Sequence, residues 1–219
     1  LSAIGGGSAI CMGSSLALTH ATSGGTWSTT TTSVATLSSA GLLTPVSAGS
    51  AIASYTVTSN GCPSTVSATI TVSAVPVAPT VASVSYCEGA TAIALTATTT
   101  SGNSLAWYGT NSTGGTASAN APIPVTNTAG SIDYYVLQKS AANCEGPRAK
   151  ITVTVIAKPA APSVTSLAYC LGATSTPLTA TALSGATLNW YGTNATGGTA
   201  SASAPTPSLA TVGTVDYYV

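Results

Sequence analysis

The apolar residues of this chain mostly alternate with Thr or Ser, as in "ATITV" from Ala68 and "KITVTV" from Lys150. An alternation of period two places successive side chains on opposite faces of an extended strand. The 3.6-residue period of an amphipathic helix does not occur, and Gly, Pro and Asn interrupt the alternation at short intervals. The pattern therefore predicts an all-β protein made of short strands and tight turns.

An internal repeat without gaps organises most of the chain. Residues 76–136 align with residues 159–219 with 38 identities in 61 positions. Each copy begins with a Pro-rich stretch and continues through the phrases "YC", "LTAT", "WYGTN", "TGGT" and "DYYV". Residues 1–75 are a diverged version that keeps the order Cys, strand, Trp, Gly-rich turns, Tyr-containing strand, Cys and closing strand. This self-similarity predicts three modules in line, at residues 1–75 (module 1), 76–158 (module 2) and 159–219 (module 3).

The two copies end differently. After Val136 the first copy continues with "LQKSAANCEGPRAKITVTVIA", whereas the second copy stops at Val219. Cys144 lies eight residues after Val136 (144 − 136). We therefore expect module 3 to be truncated before its last hairpin, and the partner of its one cysteine, Cys170, to lie beyond the chain end.

Each module has the length and strand number of an immunoglobulin-like (Ig-like) sandwich, in which two sheets pack face to face. Trp27, Trp107 and Trp190 occupy the position of the aromatic residue that such sandwiches bury between their sheets. Tyr134 and Tyr217, in the "DYYV" phrase, are predicted core residues whose hydroxyls bond to nearby backbone, as in a tyrosine corner. In module 2 the predicted strands are residues 80–86, 92–99, 104–109, 115–119, 122–127, 131–139 and 148–156.

The stretch "WSTTTTSVATLSSAGLLTPVSAGSAIASYTVT" closely resembles the group 2 bacterial Ig-like domain, a likeness that covers residues 1–75. Residues 77–219, with their "YC", "WYGTN" and "DYYV" phrases, resemble the Cys-containing Ig-like repeats of very long secreted and surface proteins of Bacteroidota. The resemblance implies tandem Ig-like β-sandwiches arranged as beads in a linear array. It also implies an extracellular or cell-surface protein of the adhesin or fibre type.

The phrase "WYGTN" and the "TGGT" that follows it have two interpretations. A Trp-Tyr pair beside a Gly-rich loop is a platform on which a sugar can stack, with Tyr108, Asn111 and their repeats Tyr191 and Asn194 as the ligand-loop candidates. The adjacent glycines also suit a tight reversal, because Gly adopts positive φ without steric cost. We favour the turn and keep surface glycans as the alternative.

The five cysteines lack metal-ligand spacing and predict disulfides, and hence an oxidising, extracytoplasmic location. Pairing within modules joins Cys11 to Cys62 and Cys87 to Cys144, each bond contributing about 4 kcal/mol in the chain-entropy model. Pairing between modules joins Cys11 to Cys144 and leaves Cys87 for the missing cysteine of module 3. We favour the first pairing, because a single module would otherwise hold unpaired thiols. Against it, a sandwich of standard topology places Cys87 and Cys144 at opposite ends.

Only eight side chains are formally charged, four basic and four acidic, where an ordinary globular protein carries roughly 25%. Residues 1–76 contain none, and His20 is the only histidine. Phosphate recognition requires clusters of Lys and Arg, so nucleic acid is not an expected partner. Paired carboxylates and metal-ligand clusters are missing as well, so we expect no catalytic site, metal or cofactor. Without an apolar run of membrane-spanning length, no membrane insertion is expected in this segment.

These observations favour a non-enzymatic structural segment of a large secreted or cell-surface protein, either an adhesin stalk or an extracellular fibre. Exposed sheet edges usually carry Lys or Pro, which prevent pairing with other chains. Because almost no charge is present, assembly of identical chains into filaments is a further hypothesis. The expected partners are the neighbouring modules, identical chains and surface glycans. The alternatives are an array of carbohydrate-binding modules and the accessory Ig-like region of a secreted enzyme.

Overall fold

The computed structural model describes residues 1–219, and all of its regular elements are β-strands. The predicted all-β class is thus confirmed, and no helix that could cross a membrane is found. The chain divides into two compact units, Leu1–Ile156 and Ala157–Val219. The first unit contains modules 1 and 2, each with a hydrophobic core of its own.

Module 1 contains seven strands, numbered in chain order: β1 (Ala9–Cys11), β2 (Leu16–Ala17), β3 (Thr26–Thr29), β4 (Ala35–Leu37), β5 (Leu42–Pro45), β6 (Gly49–Ser59) and β7 (Cys62–Ser73). They form a four-stranded sheet in the order β1-β7-β6-β3 and a three-stranded sheet in the order β2-β5-β4. Strands β1 and β7 are parallel, and all other pairs are antiparallel. The two sheets share one core, in which Leu43 of β5 and Ile70 of β7 are fully buried.

The long β6–β7 hairpin reverses through Asn60 and Gly61, whose φ angles are 52° and 79°. Positive φ at both central residues is the mark of a type I′ turn, whose twist matches that of the flanking strands. On the exposed face of the hairpin, hydroxyl pairs connect the strands, and the Oγ atoms of Ser54 and Ser67 lie 2.8 Å apart. The hairpin is therefore held by its ladder and by neutral side chains.

A tyrosine of β6 ties the sheet to a loop. The Tyr55 hydroxyl donates a hydrogen bond to the carbonyl of Thr22 (2.9 Å) and accepts one from the amide of Gly25 (2.8 Å). Both partners lie 30 or more residues before Tyr55, whereas a tyrosine corner bonds to backbone only a few residues upstream. The sequence predicted tyrosine-corner bonds for Tyr134 and Tyr217, and this part of the prediction is wrong because neither hydroxyl makes a hydrogen bond. Tyr134 lies instead with its ring in the core of module 2, 7% exposed, and Tyr217 is half-buried.

Module 2 contains six strands: β8 (Thr80–Val81), β9 (Val84–Cys87), β10 (Ala97–Thr98), β11 (Ser104–Trp107), β12 (Gly130–Lys139) and β13 (Ala149–Ile156). Four of them form a sheet in the order β11-β12-β13-β9, and β8 pairs with β10. As in module 1, one strand near the start of the module, β9, runs parallel to the last strand, β13. All other pairs are antiparallel.

Two predicted strands of module 2 are not formed. Residues 115–119 contribute only one isolated bridge, to Trp107, and residues 122–127 are irregular. Pro122 and Pro124 have no amide hydrogen to donate to a β-ladder, which prevents a regular strand at this place. The remaining predicted strands are present in shortened or shifted form, and the first of them is divided into β8 and β9.

The core of module 2 forms around a tryptophan. Trp107 is 3% exposed and lies in one cluster with Leu95, Tyr134 and Ile151. Its backbone exchanges two hydrogen bonds of 2.8 Å with that of Ser118. The Gly-rich loop between the two residues is thereby folded back onto the tryptophan strand.

The other two tryptophans also point inward. Trp27 of β3 is half-buried and packs against the core of module 1, with its ring centroid 4.6 Å from that of Tyr55. In the second unit, Trp190 is 5% exposed and exchanges two backbone hydrogen bonds with Ser201, as its repeat equivalent does in module 2. The strands of this unit are β14 (Ser163–Val164) and β15 (Ala180–Thr181), which pair with each other.

We expect Tyr55→Phe to destabilise module 1 by about 1–2 kcal/mol, because it leaves the carbonyl of Thr22 and the amide of Gly25 without their partner. Tyr134→Phe is the matched control, since its hydroxyl makes no hydrogen bond, and it should change stability by less than about 0.5 kcal/mol. Hydrogen exchange of module 1 and module 2 peptides in the full chain, followed by mass spectrometry across a urea series, measures both effects. Equal losses in the two variants would mean that the Tyr55 bonds do not stabilise the module.

Candidate functional site: the junction between modules 1 and 2

A disulfide joins modules 1 and 2. Cys11, the last residue of β1, is bonded to Cys144 in the hairpin between β12 and β13, with a Cα–Cα distance of 5.6 Å. Cys144 is 1% exposed, and its Sγ lies 4.0 Å from the carbonyl oxygen of Ser73, at which β7 ends. The bond therefore stands at the point where the chain leaves module 1.

This bond corrects the within-module pairing that the sequence favoured. In module 1, Cys11 is in register with Ser73, whereas Cys62 begins β7, about 36 Å away at roughly 3.3 Å per residue. In module 2, Cys87 is in register with Ile156 at the end of β13, while its expected partner precedes the start of that strand. Each within-module pair is thus separated by the length of a strand, far beyond the roughly 7 Å between Cα atoms that a disulfide spans. The exposed thiols of Cys62 and Cys87 are free.

A buried glutamine anchors the linker to module 2. Gln138 of β12 is 1% exposed. Its Oε1 accepts hydrogen bonds from the amide of Thr100 (2.8 Å) and from Asn103 Nδ2 (3.1 Å). Its Nε2 donates to the carbonyl of Val77 (2.9 Å), which lies in the linker between β7 and β8. Sequence reasoning missed Gln138, and the signal that could have found it is a polar residue placed two positions after Val136, on the side of β12 that faces the core.

The Cys144 hairpin also touches the linker. Gly146 donates its amide hydrogen to the carbonyl of Gln138 (2.9 Å). A Cβ added to Gly146 would lie 2.5 Å from the carbonyl oxygen of Pro76, closer than Cβ atoms approach in real proteins. A glycine at this position allows the hairpin and the linker to come this close. The disulfide, Gln138 and Gly146 therefore hold the linker and the hairpin together at the junction.

Charged side chains connect the same hairpin to the "WYGTN" loop. Lys139 Nζ and Glu145 Oε1 lie 3.0 Å apart, and the Tyr108 hydroxyl donates to the same carboxylate oxygen (3.2 Å). The guanidinium of Arg148 lies 3.5 Å from the centre of the Tyr108 ring and donates to two backbone carbonyls of the loop. A cation–π contact and charge-assisted hydrogen bonds thus tie the loop to the hairpin.

In module 2 the predicted ligand-loop residues have their polar groups engaged within the fold. Tyr108 is 6% exposed, and Arg148 lies over its ring. Asn111 turns its Nδ2 back to the carbonyl of Tyr108 (3.0 Å). In the second unit Asn194 makes the same bond to Tyr191 (3.1 Å), which is half-buried. In module 2 the loop is a closed turn, and Tyr108 offers no open ring face on which a sugar could stack.

Two carboxylates of module 2 have lowered pKa values. The hydrogen bond from Lys139 lowers the pKa of Glu145. Hydrogen bonds from Thr152 (2.7 Å) and then Lys150 (3.1 Å) lower the pKa of Asp133. In both cases the partners favour the charged form of the carboxylate in the folded state.

His20 is bound to backbone groups of module 1. Its Nδ1 accepts a hydrogen bond from the amide of Thr22 (3.0 Å), which places the ring proton on Nε2, 3.0 Å from the carbonyl oxygen of Ser2. The imidazole also stacks on Tyr55, with ring centroids 4.5 Å apart. Across the chain, no group of three or more His, Cys, Asp or Glu side chains is arranged to hold a metal ion.

We expect Gln138→Leu to destabilise module 2 by about 3 kcal/mol, because it leaves the amide of Thr100 and the carbonyl of Val77 without partners in a buried place. The control is Ser131→Leu, which introduces the same side chain at the exposed start of the same strand and should destabilise module 2 by less than about 0.5 kcal/mol. Urea unfolding gives the stabilities, and hydrogen exchange of peptides that span the linker locates the loss. Unchanged linker exchange in Gln138→Leu would show that the glutamine does not anchor it.

Acid should destabilise module 2 through carboxylates that module 1 does not contain. A carboxylate with a lower pKa in the folded state stabilises the fold above its unfolded pKa of about 4, and this contribution is lost as the pH falls through the folded value. Asp133 and Glu145 are such groups, whereas residues 1–76 hold no carboxylate. Hydrogen exchange at pH 7 and below pH 4, corrected for intrinsic rates, should show a small loss in module 2. Asp133→Asn with Glu145→Gln should reduce that loss, and an unchanged loss in the double variant would contradict the assignment.

The family model described as "Ig-like domain CHU_C associated" matches residues 76–156. The fibronectin(III)-like modules of Clostridium thermocellum CbhA are 13% identical to this chain, with a TM-score of 0.36, over 69% of this chain and 90% of theirs. Domains 4 and 5 of the S-layer protein SbsC are 18% identical, with a TM-score of 0.26, over 65% of this chain and 82% of theirs. Overall similarities at this level do not bear on function. No curated protein matches the sequence.

The matched residues coincide with module 2, in which β9 pairs in parallel with the last strand β13 and Trp107 lies in the core. Domains of this class are typical of extracellular structural proteins and are generally non-catalytic. The disulfide at the junction agrees with an extracellular location, because such bonds persist in oxidising compartments. The resemblance to bacterial Ig-like domains is thus confirmed for residues 76–156.

Proposed function

We propose that this chain is a tension-bearing spacer of a secreted or cell-surface protein, with its modules in a linear array and no catalytic role of its own. The observation that carries the proposal is the disulfide between Cys11 and Cys144. The bond joins residues 133 positions apart in sequence. Strands β2 to β12, the larger part of two modules, lie in the loop of chain that this bond closes.

The Cys11–Cys144 disulfide determines the path of a mechanical load through the chain. Force applied to the two ends of the chain reaches Cys11 through residues 1–10, crosses the disulfide and leaves from Cys144 towards β13. Strands β2 to β12 lie outside this path, so tension does not pull on their ends. A covalent bond bears the load at the place where, without it, the β-ladders of both modules would have to resist unfolding.

The linker supports the same role. Pro76 and Pro79 fix their own φ angles, which limits the bending of the segment between β7 and β8. Gln138 holds the carbonyl of Val77, and Gly146 lies against Pro76. A linker held in one position keeps consecutive modules in a fixed arrangement, as a spacer requires.

Lateral assembly of identical chains, as in an extracellular fibre, is a second candidate that the sheet edges favour. The edge strands β1, β3, β9 and β11 contain no charged residue. Many proteins place Lys or Pro on such edges to prevent pairing with other chains. Pairing at these edges would bring copies together side by side, whereas a spacer functions as a single chain.

When the full chain is stretched between its termini by atomic force microscopy, we expect the residues bracketed by the disulfide to contribute no length. Cys11→Ser combined with Cys144→Ser removes the bracket and should add about 480 Å to the released contour length, for 133 residues at roughly 3.6 Å each. Cys62→Ser is the matched control, because this thiol is exposed and unbonded, and it should leave the released length unchanged. Equal released lengths in the wild type and the double variant would refute the proposed load path.

A further inference from the structure

The junction disulfide is built from two kinds of cysteine, and the first kind recurs in every module. The carbonyls of Cys11, Cys87 and Cys170 each accept a hydrogen bond from the amide three residues later, at 3.2, 3.0 and 3.1 Å. The third residue of each turn is a glycine with positive φ. Cys11 and Cys87 also share a parallel register with the last residue of their module's last strand, Ser73 and Ile156. We call these three residues first-strand cysteines.

The second kind of cysteine closes the last hairpin of a module. Cys144 and Cys62 each pair with a serine across their hairpin. Each hairpin contains an asparagine with positive φ, Asn60 at 52° and Asn143 at 61°, and no other non-glycine residue of the chain has this conformation. Cys62 and Cys144 therefore occupy corresponding places, one or two residues after the asparagine of their module's last hairpin, and we call them hairpin cysteines.

The two hairpin cysteines differ in their bonding. Cys144 is joined to the first-strand cysteine Cys11, whereas Cys62 is an exposed free thiol. Cys62 begins β7, and the junction with module 2 lies at the other end of that strand. Cys62 thus occupies, on module 1, the position that Cys144 uses on module 2 to bind its neighbour.

We propose that Cys62 forms a disulfide with a first-strand cysteine of another Ig-like module, which packs on module 1 as module 1 packs on module 2. The proposal rests on the spacer function and identifies the partner at the end of module 1 opposite the junction. Pairing of Cys62 with a hairpin cysteine would reverse the chain direction at the junction, whereas a first-strand cysteine keeps the direction seen at the bond between Cys11 and Cys144. No charge on residues 1–76 opposes the approach of a second module.

The bond requires an oxidant, because two thiols lose two protons and two electrons when they join. A disulfide of the extracytoplasmic space, on a thiol–disulfide oxidoreductase or a small thiol compound, meets this requirement. It forms a mixed disulfide with one cysteine and releases one thiol. The thiolate of the other cysteine then attacks the protein sulfur of the mixed disulfide and expels the second thiol. The products are the new cystine and the two thiols of the reduced oxidant.

The test is a disulfide map of the protein isolated from its own cells with free thiols blocked by N-ethylmaleimide, digested without reduction and read by mass spectrometry. We expect the Cys62 peptide to be linked to a peptide with the Cys-x-Gly turn, with loss of almost all Cys62 free thiol. A link to Cys87 or Cys170 identifies a second copy of this chain as the source. A link to a Cys-x-Gly peptide outside these 219 residues identifies a different module.

Recovery of Cys62 as a blocked thiol, or bonded to Cys62 or Cys144 of another copy, would overturn the proposal. In cells that produce Cys62→Ser, the linked peptide should disappear while the peptide that joins Cys11 to Cys144 is retained, which controls for general oxidation. The result is independent of the stretching experiment, because the Cys11–Cys144 bracket does not involve Cys62. If the map shows no such link to Cys62 but stretching shows the Cys11–Cys144 bond, this inference alone is rejected. If the stretching experiment gives equal released lengths, the spacer function is rejected.

Discussion

The parallel pairing of an early strand with the last strand is the constraint on which the junction depends. In both modules of the first unit, this pairing puts a cysteine beside the residue at which the last strand ends, Ser73 in module 1 and Ile156 in module 2. The chain leaves module 1 at Ser73, so module 2 begins within reach of Cys11. A disulfide between consecutive modules then needs only a second cysteine in a hairpin that points back, and Cys144 provides it.

The same geometry explains the buried polar group of the junction. The linker and the "WYGTN" loop cover opposite faces of the end of β12, so that Leu137 and Gln138 are both buried, at 3% and 1% exposure. The alternation of buried and exposed residues therefore fails at this place. A buried carboxamide is tolerated because its donor and acceptor atoms are paired. Its bond to Val77 also fixes the linker in one position, which an apolar residue would not do.

Local sequence patterns were sufficient to predict β12, β13 and the family of module 2, because strand alternation and turn conformation depend on residues that are neighbours in sequence. The Cys11–Cys144 disulfide was one of two open pairings, and local patterns could not select it because the pairing depends on which end of a strand each cysteine reaches. That is decided by the parallel registers of Cys11 and Cys87, which join residues far apart in sequence. Gln138 escaped prediction for the same reason, since its partners become neighbours only when the linker folds back. The missing strand at residues 122–127 was a local error, because its prolines were visible.

Three of the six charged side chains of the first unit lie around one hairpin. Module 1 has no formal charge, and hydroxyl pairs such as Thr56 with Thr65 (2.8 Å) connect its long hairpin. In module 2, Lys139, Glu145 and Arg148 gather around the hairpin that carries Cys144. The regular ladder ends at this hairpin, so longer side chains are needed to reach the neighbouring loop. They fix the element from which the disulfide reaches module 1, and this is the element through which a load would pass from one module to the next.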